Sequence, residues 1–221
     1  MSDSRTRYRY DTAVTISAGM MAHHPVATGE WPAWPDVIRY ADLADIGVTR
    51  YALEKATRDG AYERIAPGVF HRAETVDDTT GAWAAIAAKS PEATLCLLTA
   101  ASLHDLTDEI PRRSHIAIPR GRHPVTTRYA PITWHRFAVP TFDVGRGEHP
   151  LPGGKSIGLY SPERTIVDFF RARHQWGADL ATTILKRWLA ERSHTPAALL
   201  AVAKQFPHTY PAVVNTVEIL L

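Results

Sequence analysis

The chain has 221 residues, 45% of them hydrophobic and 22% charged, with a formal net charge of +2. That length and balance suit two modest globular domains and exclude a disordered or fibrous chain. The longest strongly apolar run, residues 95–103, is interrupted by Thr99 and Ser102 and is too short to cross a bilayer, so no membrane partner is expected.

The N-terminal MSDSRTRYRYD carries arginines with no apolar stretch behind them, unlike a secretory signal. The single cysteine, Cys96, has no partner for an internal disulfide, which agrees with a reducing compartment and predicts a cytoplasmic protein with Cys96 buried as a small hydrophobe. RTRYRY reads either as a basic arm for a nucleic-acid backbone or as a mobile terminus. A first helix is expected within residues 12–22.

Residues 34–73 read as helix, tight turn, helix and wing. A short helix over 42–46 buries Leu43 and Ile46, Gly47 makes the turn, and Val48 plugs it. Thr49 is a good cap for the next helix because its hydroxyl can accept from amides of the first turn. Leu53 and Ala56 form the inward stripe, which leaves Thr49, Arg50, Tyr51, Glu54, Lys55 and Arg58 on the outer face. Such a mixture of cations, hydroxyls and an aromatic ring suits phosphates and base edges, so this is the expected recognition helix. Gly60 ends it, and residues 62–65 and 69–72 form a hairpin wing around Ala66-Pro67-Gly68. The DNA-binding candidates are Thr49, Arg50, Tyr51, Lys55, Arg58, Arg64 and Arg72. Residues 1–72 hold nine Lys and Arg against nine Asp and Glu, so affinity must come from local placement rather than from net charge.

Residues 77–80 read as a linker or helix start, and GAWAAIAAKSP as an Ala-rich helix stopped by Pro91. The domain boundary is placed here, giving a winged helix-turn-helix over 1–76 and a second domain over 77–221, each with its own apolar stripes and each expected to fold alone. TLCLLTAASLHDL suggests a buried helix or a strand-to-helix step, and SHIAIP, PITWHRFAV and KSIGLY read as strands, two or three per sheet. SPERTIVDFFRAR opens with Ser161 as cap and Pro162 in the first turn and buries Ile166, Val167 and Phe170. Residues 180–192 form an amphipathic helix with Leu180, Ile184, Trp188 and Leu189 inward, and Thr195-Pro196 starts another helix towards Phe206. The fold class is α+β, ending in helices.

Three motifs resemble the AbiEi-type antitoxins of type IV toxin-antitoxin systems: PDVIRYADLADIGVTRYALEKATRDGAYERIAPGVF, LTAASLHDLTDEIPRRSHIAIPRG and SPERTIVDFFRAR. They fall in the family's order over most of residues 35–206. The proline-rich HHPVATGEWPAWPD stands where the family has its first helix. The resemblance implies a winged helix that represses its own operon through promoter repeats, joined to a C-terminal domain that neutralises a cognate nucleotidyltransferase-like toxin. Alternatives are a transcriptional regulator without a toxin partner and an enzyme that modifies the toxin covalently.

Between Glu109 and Asp143 there is no acidic residue, while Arg112, Arg113, Arg120, Arg122, Arg128 and Arg136 are all present. A one-sign stretch favours an anionic partner surface, and Arg112, Arg113, Arg120, Arg122 and Arg128 are the partner-binding candidates. Gly153-Gly154-Lys155-Ser156 resembles the end of a phosphate loop, but a strand follows where a helix should open, so a hairpin turn is expected. The eleven histidines show no metal-ligand spacing, and the strands carry almost no carboxylates for a metal nuclease. No metal, cofactor or catalytic residue is expected, and Arg164 with Asp168 is given a structural role.

Overall fold

The computed structural model describes residues 34–73, 77–127 and 130–221. The helix expected within residues 12–22, the RTRYRY segment and Arg128 lie outside them. Helices and two sheets alternate in layers, and the order of the layers follows from which strand faces are apolar.

Strands β1 (Val37–Arg39), β2 (Tyr62–Ala66) and β3 (Val69–Arg72) form an antiparallel sheet in the order β1-β3-β2. Pleating sends Ile38, Tyr62 and Phe70 to one face, where they pack with Leu43 and Val48 and with Leu53 and Ala56 of α1 (Arg50–Arg58). Val37, Ile65 and Val69 belong to the other face, which packs on Trp83, Ala84, Ala85 and Ile86 of α2 (Asp78–Lys89).

Five further strands, β4 (Thr94–Leu95), β5 (Ser114–Pro119), β6 (Ile132–Phe137), β7 (Arg146–Leu151) and β8 (Lys155–Tyr160), make a mixed sheet in the order β6-β5-β4-β8-β7. Leu95, Ile116, Ile118, Leu151 and Ile157 from this sheet join the same cluster as α2. Because α2 lies between two sheets, Gly81 to Ile86 is buried without a break, as expected of a helix that is apolar on nearly every side. The expected separation of apolar stripes therefore does not hold: one core crosses from the winged helix through α2 to the large sheet.

The opposite face of the large sheet, including Ala117 and Tyr160, packs under α3 (Leu97–Leu103) and α4 (Pro162–Arg171). A short α5 (Arg173–Trp176) follows, and α6 (Ala178–Ala190), α7 (Pro196–Ala203) and α8 (Tyr210–Leu220) close the helical layer, giving the α+β class with terminal helices. Ser161 caps α4 through Arg164 N, with Pro162 in the first turn, as the sequence predicts. In α6 the fully buried residues are Ala181, Ile184, Leu185 and Trp188, while Leu180 and Leu189 are only half-buried at its margins. Residues 94–106 are a strand-to-helix step, and Cys96 between them is fully buried, which pushes its thiol well above the ordinary value. The β7–β8 connection at 152–154 is a hairpin turn, as expected of a glycine pair followed by a strand.

The core of the helical layer contains an ion-pair network. Arg164 and Asp168 are both buried, with Nε to Oδ2 at 3.0 Å, and Arg171 binds the other carboxylate oxygen. Arg164 Nη1 also donates to the carbonyls of Thr141 (2.7 Å) and Val144 (2.6 Å), and its guanidinium lies 4.2 Å from the Tyr160 ring centre and 4.7 Å from that of Phe206.

Candidate nucleic-acid interface

The turn before α1 is built by hydrogen bonds that the sequence pattern only partly shows. Residues 40–42 form one 3-10 turn, and the chain reaches Gly47 through Ile46 N to Asp42 O (3.2 Å) and Val48 N to Leu43 O (3.0 Å). The helix expected over 42–46 is therefore a 3-10 turn begun at Tyr40 and continued by turn residues. Its bonds mix spacings of three, four and five residues, with Gly47 N on Ala44 O at 3.3 Å, so no regular α-helix repeats, and Arg39 Nε on Asp42 Oδ2 at 2.7 Å clamps its start. Gly47 has φ +66°, a value that L side chains rarely adopt.

Thr49 caps α1, accepting from Ala52 N at 3.1 Å. The C-terminus closes through Gly60 N to Thr57 O (3.3 Å) and Ala61 N to Ala56 O (2.9 Å), the Schellman pattern, with Gly60 at φ +79°. Both ends being fixed by local bonds, the outward face of α1 is rigidly presented. Thr49, Arg50, Tyr51, Glu54, Lys55 and Arg58 are all exposed on it, Tyr51 at 70%.

Two adjacent stripes share that face. Tyr51, Lys55 and Arg58 follow helical spacing along one. Along the other, Arg50 Nε donates to Glu54 Oε1 at 3.0 Å, and Tyr40 OH donates to the same oxygen at 3.3 Å. A shallow cleft of about 320 Å³ lies beside them, lined by Tyr40, Glu54, Thr57, Arg58, Arg64 and Phe70. Arg64 thus stands beside the helix as expected of a wing residue. Arg72 sits elsewhere, next to the C-terminal end of α1. It donates to Trp34 O (2.8 Å), pairs with Asp36 Oδ1 (3.4 Å) and lies 5.3 Å over the Tyr62 ring, partners that make it a brace for the sheet end.

The partner-binding candidates divide between the two ends of β5. Arg112 and Arg113 precede the strand, with Arg113 Nε donating to Thr133 Oγ1 (3.1 Å) and its Nη2 to Ile132 O (3.0 Å). Arg120 and Arg122 follow the strand, and Arg122 pairs with Glu92 at 3.3 Å. Six residues of strand separate the two pairs by roughly 20 Å.

One group escaped the sequence reading. His115 of β5 and His135 of β6 meet through Nδ1 and Nε2 at 3.0 Å, with their rings stacked and Trp176 edge-on to His115. Their twenty-residue separation carries no local signal, and only the parallel pairing of β5 with β6 brings them together. Burial holds both imidazoles below their ordinary value, aided by Arg113 at His115 and by His115 at His135, which is lowered to about 4. A base with a depressed folded-state value binds protons more readily when unfolded. Its stabilising contribution is therefore complete above about pH 6.5 and is lost as pH falls towards 4. With the half-buried ring discounted for screening, the loss is about 2 kcal/mol. Thermal unfolding of the full chain should drop more steeply between pH 7 and pH 4.5 in wild type than in His135→Gln, and parallel pH profiles would contradict this.

No group of three or more His, Cys, Asp or Glu able to hold a metal occurs among the described residues, and no helix among them is long and apolar enough to cross a membrane. No curated protein matches the sequence. Among solved structures, the crystal structure of the RV2827C protein from Mycobacterium tuberculosis aligns with a TM-score of 0.44 at 16% identity, covering 77% of this chain and 76% of that one. Residues 35–72, which span β1, the turn, α1 and the wing, match the model of the family described as transcriptional regulator, AbiEi antitoxin.

Proposed function

We propose that this protein is a cytoplasmic DNA-binding antitoxin that represses its own operon through promoter repeats and neutralises a cognate nucleotidyltransferase-like toxin, acting by binding rather than by catalysis. The observation that carries the reading is the exposed face of α1, where Arg50, Tyr51, Lys55 and Arg58 stand together on a helix fixed at both ends, inside the segment that matches the antitoxin family model. A recognition helix of this kind enters the major groove with its N-terminal residues towards the bases, while wing cations reach the flanking backbone.

In this reading residues 1–76 hold DNA and residues 77–221 hold the toxin. The arginine pairs at the two ends of β5 then act as two separate contacts on one acidic toxin surface, and roughly 20 Å between them fits within an interface of about 800 Å² per partner. The test is co-expression of the full chain with its proposed cognate nucleotidyltransferase-like toxin, scoring growth. Wild type should restore growth, and Arg120→Glu with Arg122→Glu should lose that rescue while remaining folded. Failure of the wild-type chain to rescue would contradict the antitoxin half of the proposal and leave a regulator without a toxin partner.

A further inference from the structure

A carboxylate on a helix face meant for DNA needs a reason, because phosphates repel it. Glu54 occupies such a place, exposed one helical turn after Arg50. Its Oε1 receives both Arg50 Nε at 3.0 Å and Tyr40 OH at 3.3 Å, so the two bonds leave Oε2 outside the cluster. Arg50 in turn lies 4.3 Å over the Tyr40 ring.

Tyr40 is itself fixed. Its N–H donates to Gly68 O of the wing turn at 2.9 Å, and its ring packs on Phe70 with centres 5.2 Å apart. A flexible arginine is thereby held by a ring below and a carboxylate beside it. The ion pair uses Nε, and the fork of terminal amines, the part whose spacing matches guanine O6 and N7, is not part of it.

Resting on the DNA-binding reading above, we infer that Arg50 and Glu54 act as one preorganised pair that reads a guanine and a nearby cytosine in the major groove, with Tyr40 as its positioning residue. Arg50 donates its fork to guanine O6 and N7. Glu54 Oε2 accepts from cytosine N4, the one base-edge group in the major groove that offers a donor without an adjacent acceptor on the same base. Four residues of helix rise about 6 Å, which places the two bases one or two steps apart. The pair is neutral as a unit, so it adds base discrimination without adding nonspecific attraction. This agrees with the even balance of charge over residues 1–72.

The test is selection of duplexes from a randomised pool by the full chain, followed by titration of the enriched sequence and its single-base variants. Wild type should enrich a G and a C within two base pairs of each other and discriminate on the order of tenfold to a hundredfold against other bases at each. Glu54→Gln should shift the preferred base at the C position to adenine, which offers glutamine a bidentate edge. Arg50→Lys should lose most of the preference at the G position. Tyr40→Leu should weaken both preferences while the salt dependence stays as in wild type. All three side chains lie at the surface or its margin, and thermal unfolding verifies that the variants fold. Unchanged base preferences in Glu54→Gln and Arg50→Lys would overturn the inference while leaving DNA binding intact. Equal tightening on every sequence in Glu54→Ala would overturn it as well, making Glu54 a brake on phosphate attraction. A wild-type chain that enriches no sequence and binds no duplex would overturn the DNA-binding reading itself.

Discussion

Asp168→Ala should destabilise the protein by about 3–5 kcal/mol, because it leaves the fully buried Arg164 guanidinium without its carboxylate. Arg164 cannot escape to solvent. Its Nη1 is committed to the carbonyls of Thr141 and Val144, the rings of Tyr160 and Phe206 flank it, and its backbone is in the middle of the helical layer. Arg171, at 30% exposure, can turn outward when Asp168 is lost, so it adds little to the cost. In a chain of this size the loss corresponds to a fall in Tm of about 10 °C or more. The double variant Arg164→Met with Asp168→Leu removes both charges and keeps most of the volume, and it should recover much of that loss. Thermal or urea unfolding of the two variants beside wild type checks the prediction. A single variant within about 1 kcal/mol of wild type would mean that the pair contributes no more than an exposed one.

Helix α1 was legible because its determinants are local: Thr49 as cap, Leu53 and Ala56 at helical spacing, and Gly60 after the last turn. The strands missed in the sequence have little local pattern. β1 is only three residues long, and its partner β3 lies some thirty residues downstream. β7, RGEHPL, carries a proline and mostly polar residues because it is the outer strand of its sheet, where a missing donor and a wet face are tolerated. The shared role of α2 was hidden for another reason. An Ala-rich helix buried on all sides shows a pattern that does not reveal whether one sheet or two cover it.

Of the candidate interface, the cations on α1 were readable from spacing, whereas the brace beneath them was not. Tyr40 comes from the turn ten residues before Arg50, and nothing in that interval announces a ring stacked under a guanidinium. The same limit explains Arg72. Its place at the end of β3 was foreseen, but its partners Trp34 and Asp36 come from the residues just before β1, more than thirty-five positions upstream.

The second large effect concerns DNA itself. Lys55 is an exposed point charge suited to a phosphate, and Arg50 sits at the first residue of the helix, so under the proposed DNA-binding function replacing both by alanine would remove a backbone contact and a base contact together. On the proposed reading, losing a base contact and a phosphate contact together should cost roughly thirtyfold or more in affinity. Stability should hardly change. Both side chains are exposed, and the Arg50–Glu54 pair is an i,i+4 surface pair that solvent screens. The most direct measurement is therefore the affinity of the full chain for a labelled duplex of its own upstream sequence, titrated at several salt concentrations. Wild-type binding should weaken steeply with salt, and Arg50→Ala with Lys55→Ala should bind at least about thirtyfold more weakly at an unchanged Tm. Wild-type affinity in the double variant would contradict the assignment of α1 as the DNA-contacting surface.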